Sequence, residues 1–391
     1  MPRFQGAFRA HEYDAPMHQC RAALILLLAL SLALAVVACG PAPTPAPSTP
    51  PSASPTATGN ESPSSSPSPT TSDGSPLPPE AWTLVATDGP APSPRMGHSW
   101  TADPSAGVAY LFGGSTASGP VAELWVYDLG ADSWTQTPLD GPGPGARSGH
   151  AAGWLDGVGL LIVGGRDAED RPLDDAWTFD PGTSRWSRVP AGSSLPPGRS
   201  DACGVVDPTN AFWLSHGRAT DPLADTWRFD PAARTWLAAS PDGEAPDPRS
   251  GAVCWWTPGL SLAIAGGSGG AGVVGDGWSL DEPGTTSAEW TRLPVDLTTA
   301  ARSGAASARH DDAMVLVGGL APSGGIVADV VRIELESMAV TTYATPAGGP
   351  GPRQGGAMVD DPASERLLMF GGSASEDAAD ANGEVWQLTL P

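Results

Sequence analysis

On a chain of 391 residues with 20 Arg, no Lys, 43 Asp and Glu and a formal charge of −23, the side chains best placed to do chemistry are a few cationic and imidazole groups. Arg166, Arg171, His216 and Arg218 fall in two segments of loop composition. Such an island of donors can receive a carboxylate, because a guanidinium offers a planar, permanently charged fork of N–H groups. His98 and His150 each stand three residues after an Arg. Two imidazoles brought together can hold a metal or a sugar hydroxyl, and packing in a core is the competing reading.

Other motifs carry less. Asp167, Glu169, Asp170, Asp174 and Asp175 are oxygen donors for Ca²⁺ in principle, but their spacing is that of a solvated acidic loop. Gly266-Gly267-Ser268-Gly269-Gly270 meets the letter of G-x-S-x-G, and Gly267, Gly269 and Gly272 meet that of G-x-G-x-x-G. Neither is followed by the helix that a nucleophile elbow or a dinucleotide site needs. Cys203 and Cys254 lie at offsets of four and five from recurrent arginines, so they point to opposite faces of their strands; two buried thiols are expected rather than a disulfide. No catalytic residue, metal ligand set or cofactor is expected. With acids outnumbering basic residues twofold, the chain has no surface for neutralising phosphates, which excludes nucleic acid as a partner.

The first eighty residues read as an address and a tether. Ala22–Ala38 is uncharged, follows Arg21 and ends at Cys39-Gly40, too short and wrongly flanked for a membrane span. The segment resembles a bacterial lipoprotein signal spanning residues 1–38. That resemblance implies lipidation of Cys39, anchorage through acyl chains alone and an extracytoplasmic position in the cell envelope. A start at Met17 would give Met-His-Gln-Cys-Arg as a compact positive leader. Residues 39–80, rich in Pro, Ser and Thr, cannot build a core and are expected to be a disordered linker; wholly polyproline-like they reach about 120 Å.

The elements that position the candidate residues come from a repeat. Arg95, Arg147, Arg199, Arg249, Arg302 and Arg353 open six units at spacings of 52, 52, 50, 53 and 51. An apolar run in each unit ends in a Gly pair, Gly164/Gly165 for example, and the third unit has His216/Gly217 instead. An acid, one residue and Trp follow, as at Asp175 to Trp177, with Val331 in place of Trp in the fifth unit. A second aromatic comes at Trp134, Trp186, Trp236, Trp290 and Tyr343. Short alternating runs and Asp-Pro turns predict four strands per unit and no helix. A four-stranded sheet cannot bury both faces alone, so the units must stack. The Gly pair is expected to let a Trp approach the backbone. The repeated Arg and Trp are therefore structural, and departures from the repeat are where a site belongs.

Arg147-Ser-Gly-His150, the run into Gly164/Gly165, Asp175-Ala-Trp177 and Trp186 resemble the kelch repeat, over residues 81–391. The resemblance implies an all-β, six-bladed kelch-type β-propeller, like the central domain of galactose oxidase. Trp82 precedes Arg95 by 13 residues, the distance from Trp134 to Arg147, so the N-terminal strand around Trp82 should complete the sixth blade. Galactose-oxidase copper chemistry needs tyrosine ligands. After Cys39 only Tyr110, Tyr127 and Tyr343 remain, and Tyr127 fills a repeat position. The expectation is a monomeric, membrane-tethered module that binds a protein or a glycan through the loops of one face. The alternative is a carbohydrate-active kelch enzyme such as a sialic-acid mutarotase, which demands a deep axial pocket and a perturbed carboxylate.

Overall fold

The computed structural model describes residues 81–390, apart from residues 88, 140, 193, 286, 346 and 347. The signal and tether expected over residues 1–80, Cys39 included, lie outside the described residues. Among the described residues the only helical element is a 3₁₀ turn, Ala378–Asp380, and everything else regular is strand. No helix there is long and apolar enough to cross a membrane.

Each repeat folds as a four-stranded antiparallel sheet, giving six in all. Sheet two is representative: Ala151–Leu155, Gly159–Val163, Ala176–Asp180 and Arg185–Arg188 follow one another as neighbours. The second strand, Gly159–Val163, is buried along its whole length, as a strand covered on both faces must be. In sheet six the order is Gln354–Asp361, Arg366–Ser373, Val385–Thr389 and then Ala81–Val85, with Trp82 opposite Leu388. The N-terminal strand thus pairs with the last one, as the position of Trp82 requires, and covers what would be an open edge. Sheet five keeps its four strands without the usual tryptophans; Val331 is fully buried in its place.

Packing joins the sheets in sequence. Tyr110, Phe112 and Leu124 of sheet one meet Ile162, Phe179 and Trp186 of sheet two, and equivalent clusters join two to three, three to four, four to five and five to six. The sixth cluster returns to the start, placing Leu368 and Phe370 against Trp100 and Trp134. Truncating one such aromatic to Ala would cost about 3 to 5 kcal/mol. The same junction carries Arg366, whose guanidinium bridges Asp361 of its own sheet, at 2.9 Å, to Asp132 of sheet one, also at 2.9 Å.

Backbone hydrogen bonds close two further cycles. The second Gly of each pair donates to the carbonyl of the next repeat's leading Arg, from Gly114 to Arg147 O at 2.9 Å round to Gly372 to Arg95 O at 2.9 Å. The residue two places after each Arg makes the second cycle: Gly97 donates to Gly355, Gly355 to Gly304, Gly304 to Gly251, Gly251 to Asp201, Asp201 to Gly149 and Gly149 to Gly97, all at 2.7–2.8 Å.

The Gly pair therefore serves a different contact from the one expected. A Cβ on Gly164 would lie 2.5 Å from Arg199 O, and φ there is +65°. The close neighbour is the backbone of the next repeat, with no tryptophan involved, and only glycine reaches this conformation without strain.

Candidate functional site

The six leading arginines are buried, and each donates to the same two backbone carbonyl positions of its own repeat. Arg147 donates from Nε to Gly145 O at 3.1 Å and from Nη1 to Gly164 O at 2.9 Å. It also makes a two-point pair with Asp175 at 2.6 and 3.0 Å, and Trp177 Nε1 donates to the same carboxylate at 2.7 Å. Burial alone would raise the Asp175 pKa; the guanidinium and the indole N–H overcome it and hold the carboxyl below its usual range. Arg199–Asp225, Arg249–Asp276 and Arg302–Asp329 repeat the two-point pair, and Arg95 meets Glu123 through one nitrogen. Arg353 keeps its bonds to Gly351 O and Gly371 O, but among the described residues no carboxylate is hydrogen-bonded to it. The relay fixes the acid-x-Trp strand to the Arg-led segment, so the spacing of these residues is a packing code.

Three departures from the repeat, at positions 166, 201 and 218, gather at one place. An open cavity of about 890 Å³ lies among the six Arg-led segments, with Gly97, Gly149, Asp201, Gly251, Gly304 and Gly355 in its lining. Ser148, Ser250 and Ser303 add hydroxyls, and Arg166 and Arg218 reach in from the loops that follow the second and third Gly pairs. Both arginines hold the residue position directly after a Gly pair, where Ser115, Ser268, Leu320 and Ser373 stand in the other units. Short backbone ladders fix them: Arg166 pairs with Ser148 and Arg218 with Ser200. Glu376 and Asp377, both exposed, line the cavity from the last sheet's loop.

Arg166 Nη2 is ion-paired with Asp201 Oδ2, and Nη1 lies 3.2 Å from Asp170. The exposed Arg218 makes no ion pair among the described residues. Arg171 turns away: it lies on the surface, clamped by Asp167 at 2.8 Å and Glu169 at 3.1 Å, and it does not line the cavity. The island expected from sequence is thus Arg166 with Arg218. The acidic loop spends Asp167, Glu169, Asp170 and Asp175 on arginines rather than gathering them for a cation.

The three histidines offered as ligand candidates have their side chains inside. His216 takes the first Gly position with φ +58°, and its ring, 1% exposed, sits against Ser215 Oγ at 2.7 Å and edge-on to Trp290. The loop position read from sequence is an inward one, directly after the buried strand Phe212–Ser215. His98 packs edge-on to Phe370, and His150 packs on Phe112 with Nε2 2.9 Å from Ser99 Oγ. Burial, with the charge of Arg95 added, brings the pKa of His98 down to about 3. Burial and Arg147 bring His150 to about 3, while burial and Arg249 bring His216 to about 4. With these values all three are neutral at pH 7.

Cys203 and Cys254 are free thiols, yet they share one apolar cluster between sheets three and four. Their offsets do point to opposite faces, and in stacked sheets those are the faces that meet. Gly266–Gly270 runs into a small three-stranded ladder with Arg249–Ser250 and no helix follows it. The carboxyl raised by burial is Asp360, held 2.7 Å from His310, and it lines no part of the cavity.

Sequence reading missed Asp201. Its signal was available: position two after the leading Arg is Gly in five units and Asp in the third.

Comparison with known proteins places these repeats. The family described as the KLHDC2/KLHL20/DRC7 Kelch-repeats domain matches residues 77–267 and 223–390. Serine/threonine-protein phosphatase BSL2 of Arabidopsis thaliana is 34% identical over 122 residues, 30% of this chain and 12% of that protein. Human multiple epidermal growth factor-like domains protein 8 is 33% identical over 132 residues, 32% of this chain and 4% of its own length. Mouse Kelch domain-containing protein 3 is 32% identical over 136 residues, 32% of this chain and 35% of that protein. The matched stretch is thus about a third or less of each of these relatives.

Proposed function

The chain belongs to the kelch-repeat family, whose domains point to protein interaction, and from this membership we propose that it is a tethered binding module that receives a protein partner's carboxylate in the cavity holding Arg166 and Arg218. In this reading the six sheets are the blades of one closed propeller. The cyclic hydrogen bonds and the cluster joining sheet six to sheet one support it. A ring built this way presents the loops after the five Gly pairs and after His216-Gly217 on one side, and a rigid scaffold carrying variable loops is a common way to build a binding face.

The observation that carries the proposal is the breaking of the repeat at the cavity. A feature present in every sheet is accounted for by packing, as the Arg–acid–Trp relay is. Arg166 and Arg218 are absent from four of the six equivalent positions, contribute no core contact and face an open, hydroxyl-lined space. On a protein of charge −23 two cations in the lining of one cavity, beside Asp201, Glu376 and Asp377, are a departure from the repeat, and a carboxylate is the ligand chemistry a guanidinium favours.

The resemblance of residues 1–38 to a lipoprotein signal supports the localisation and tether in this reading. Cys39 carries the lipid, residues 40–80 act as the spacer, and the propeller stands in the cell envelope on the extracytoplasmic side. The partner is then a protein of the envelope.

The test is a melting-temperature titration of the purified chain with acidic peptides, acidic sugars and sialic acid, since a ligand that binds only the folded state must raise the midpoint. A dose-dependent rise with a peptide, abolished by Arg166→Ala with Arg218→Ala, is the expected result. A rise confined to the sugars would replace the protein partner with a glycan, and an undiminished rise in the double variant would remove the cavity from the proposal.

A further inference from the structure

We infer that Asp201 is a built-in counter-ion that competes with a ligand's carboxylate for Arg166, and so sets how tightly the axial cavity takes an anion. The inference rests on the reading of the cavity as a carboxylate site and adds the residue that tunes it.

The repeat itself gives the first reason. At the position two after the leading Arg, the backbone has φ of +64° to +66° in Gly97, Gly149, Gly251, Gly304 and Gly355. The cyclic hydrogen bonds hold all six positions in this left-handed conformation, which suits glycine and strains most other residues. Asp201 adopts φ +52° and keeps both bonds of the cycle, its N–H to Gly149 O and its carbonyl from Gly251 N–H, each at 2.7 Å. A side chain is thus present at a position where the fold favours none, and packing gives no reason for it.

Its surroundings give the second. The Asp201 carboxylate lies beside the cavity, about a third exposed, with Oδ2 ion-paired to Arg166 and accepting from Ser200 Oγ at 2.9 Å. The neighbouring Gly149 must lack a side chain for this to happen, because a Cβ there would lie 2.6 Å from Asp201 Oδ1. Arg166 Nη2 is therefore occupied as a bound carboxylate would occupy it. An incoming carboxylate meets Arg218 directly and reaches Arg166 Nη2 by displacing Asp201, the exposed Asp170 holding Nη1. An anionic ligand must overcome both this internal pair and the charge of Asp201 itself, so weak anions are refused.

Glutarate serves as the probe, titrated into the purified full chain with the melting temperature as readout. Asp201→Asn keeps the size of the side chain, tolerates a left-handed backbone and removes the charge. Asp201→Gly restores the residue of the other five sheets and guards against a folding defect. Both variants should bind glutarate about fivefold more tightly than the natural chain, the scale of one partly exposed ion pair. Adding Arg166→Ala to Asp201→Asn should abolish that gain. Equal or weaker binding by both Asp201 variants, with glutarate still bound by the natural chain, would overturn the counter-ion role and leave the carboxylate site standing. Absence of glutarate binding by every variant would overturn the role together with the site.

Discussion

Sheets one to three and sheets four to six are built on the same frame and furnished differently. Both halves have four antiparallel strands per repeat, a buried leading Arg and a Gly-mediated bond to the next repeat. The first half places His98 and His150 three residues after the Arg, His216 in a Gly pair, and Arg166, Asp201 and Arg218 at the cavity. The second half has Ala252, Ala305 and Gly356 where the histidines would be, and Ser268, Leu320 and Ser373 where the arginines would be. The difference teaches that the frame tolerates polar and strained substitutions on one side without losing its register. The plain half shows what the fold requires, and the elaborated half shows what was added to it.

Acid should break the symmetry most strongly. His98, His150 and His216 have folded-state pKa values of about 3, 3 and 4, below their ordinary 6.5. Above pH 6.5 neither state takes the proton and nothing is lost. As pH falls below 6.5 the unfolded chain binds protons that the native one refuses, so stability falls until the folded pKa is reached. At pH 5 the loss is about 2 kcal/mol for each histidine. Urea unfolding at pH 7.5 and pH 5 should therefore show a large drop in midpoint. An unchanged midpoint would mean that the imidazoles protonate in place and are not buried in solution.

Removing the leading arginine tests the frame itself. Arg147→Ala strands the Asp175 carboxylate and should cost about 3 kcal/mol. Arg353 has no hydrogen-bonded carboxylate among the described residues, and Arg353→Ala should cost about 1 to 2 kcal/mol through its lost carbonyl bonds. Guanidinium unfolding of the two variants gives the comparison directly. Equal costs would show that the carboxylate partners add nothing to the relay.

The smallest effect on stability belongs to the cavity arginines. Arg166→Ala and Arg218→Ala should each shift unfolding by no more than about 1 kcal/mol, since partly exposed ion pairs contribute little, while removing carboxylate binding. A stability loss comparable with that of Arg147→Ala would return them to the frame.

Much of this was legible in the sequence. The period, the Trp positions and the offset of Trp82 specify six four-stranded units and the pairing of the first strand with the last, because period-2 alternation and turn residues are local signals. Less legible was what each exception does. His216 read as a loop residue, yet its ring is buried. Cys203 and Cys254 read as separated, yet their opposite faces are the ones that meet. The glycines read as room for tryptophan, and they make room for the next repeat's carbonyl.

The repeat, its count and the split between recurrent frame positions and departures from them are written along the chain, since they depend on residue type and spacing alone. That Arg166, Asp201 and Arg218, from segments up to 52 residues apart, share one cavity while Arg171 does not is a product of folding. Stacking brings equivalent positions of successive repeats side by side about an axis, and no local signal records which way a loop side chain turns once they are there.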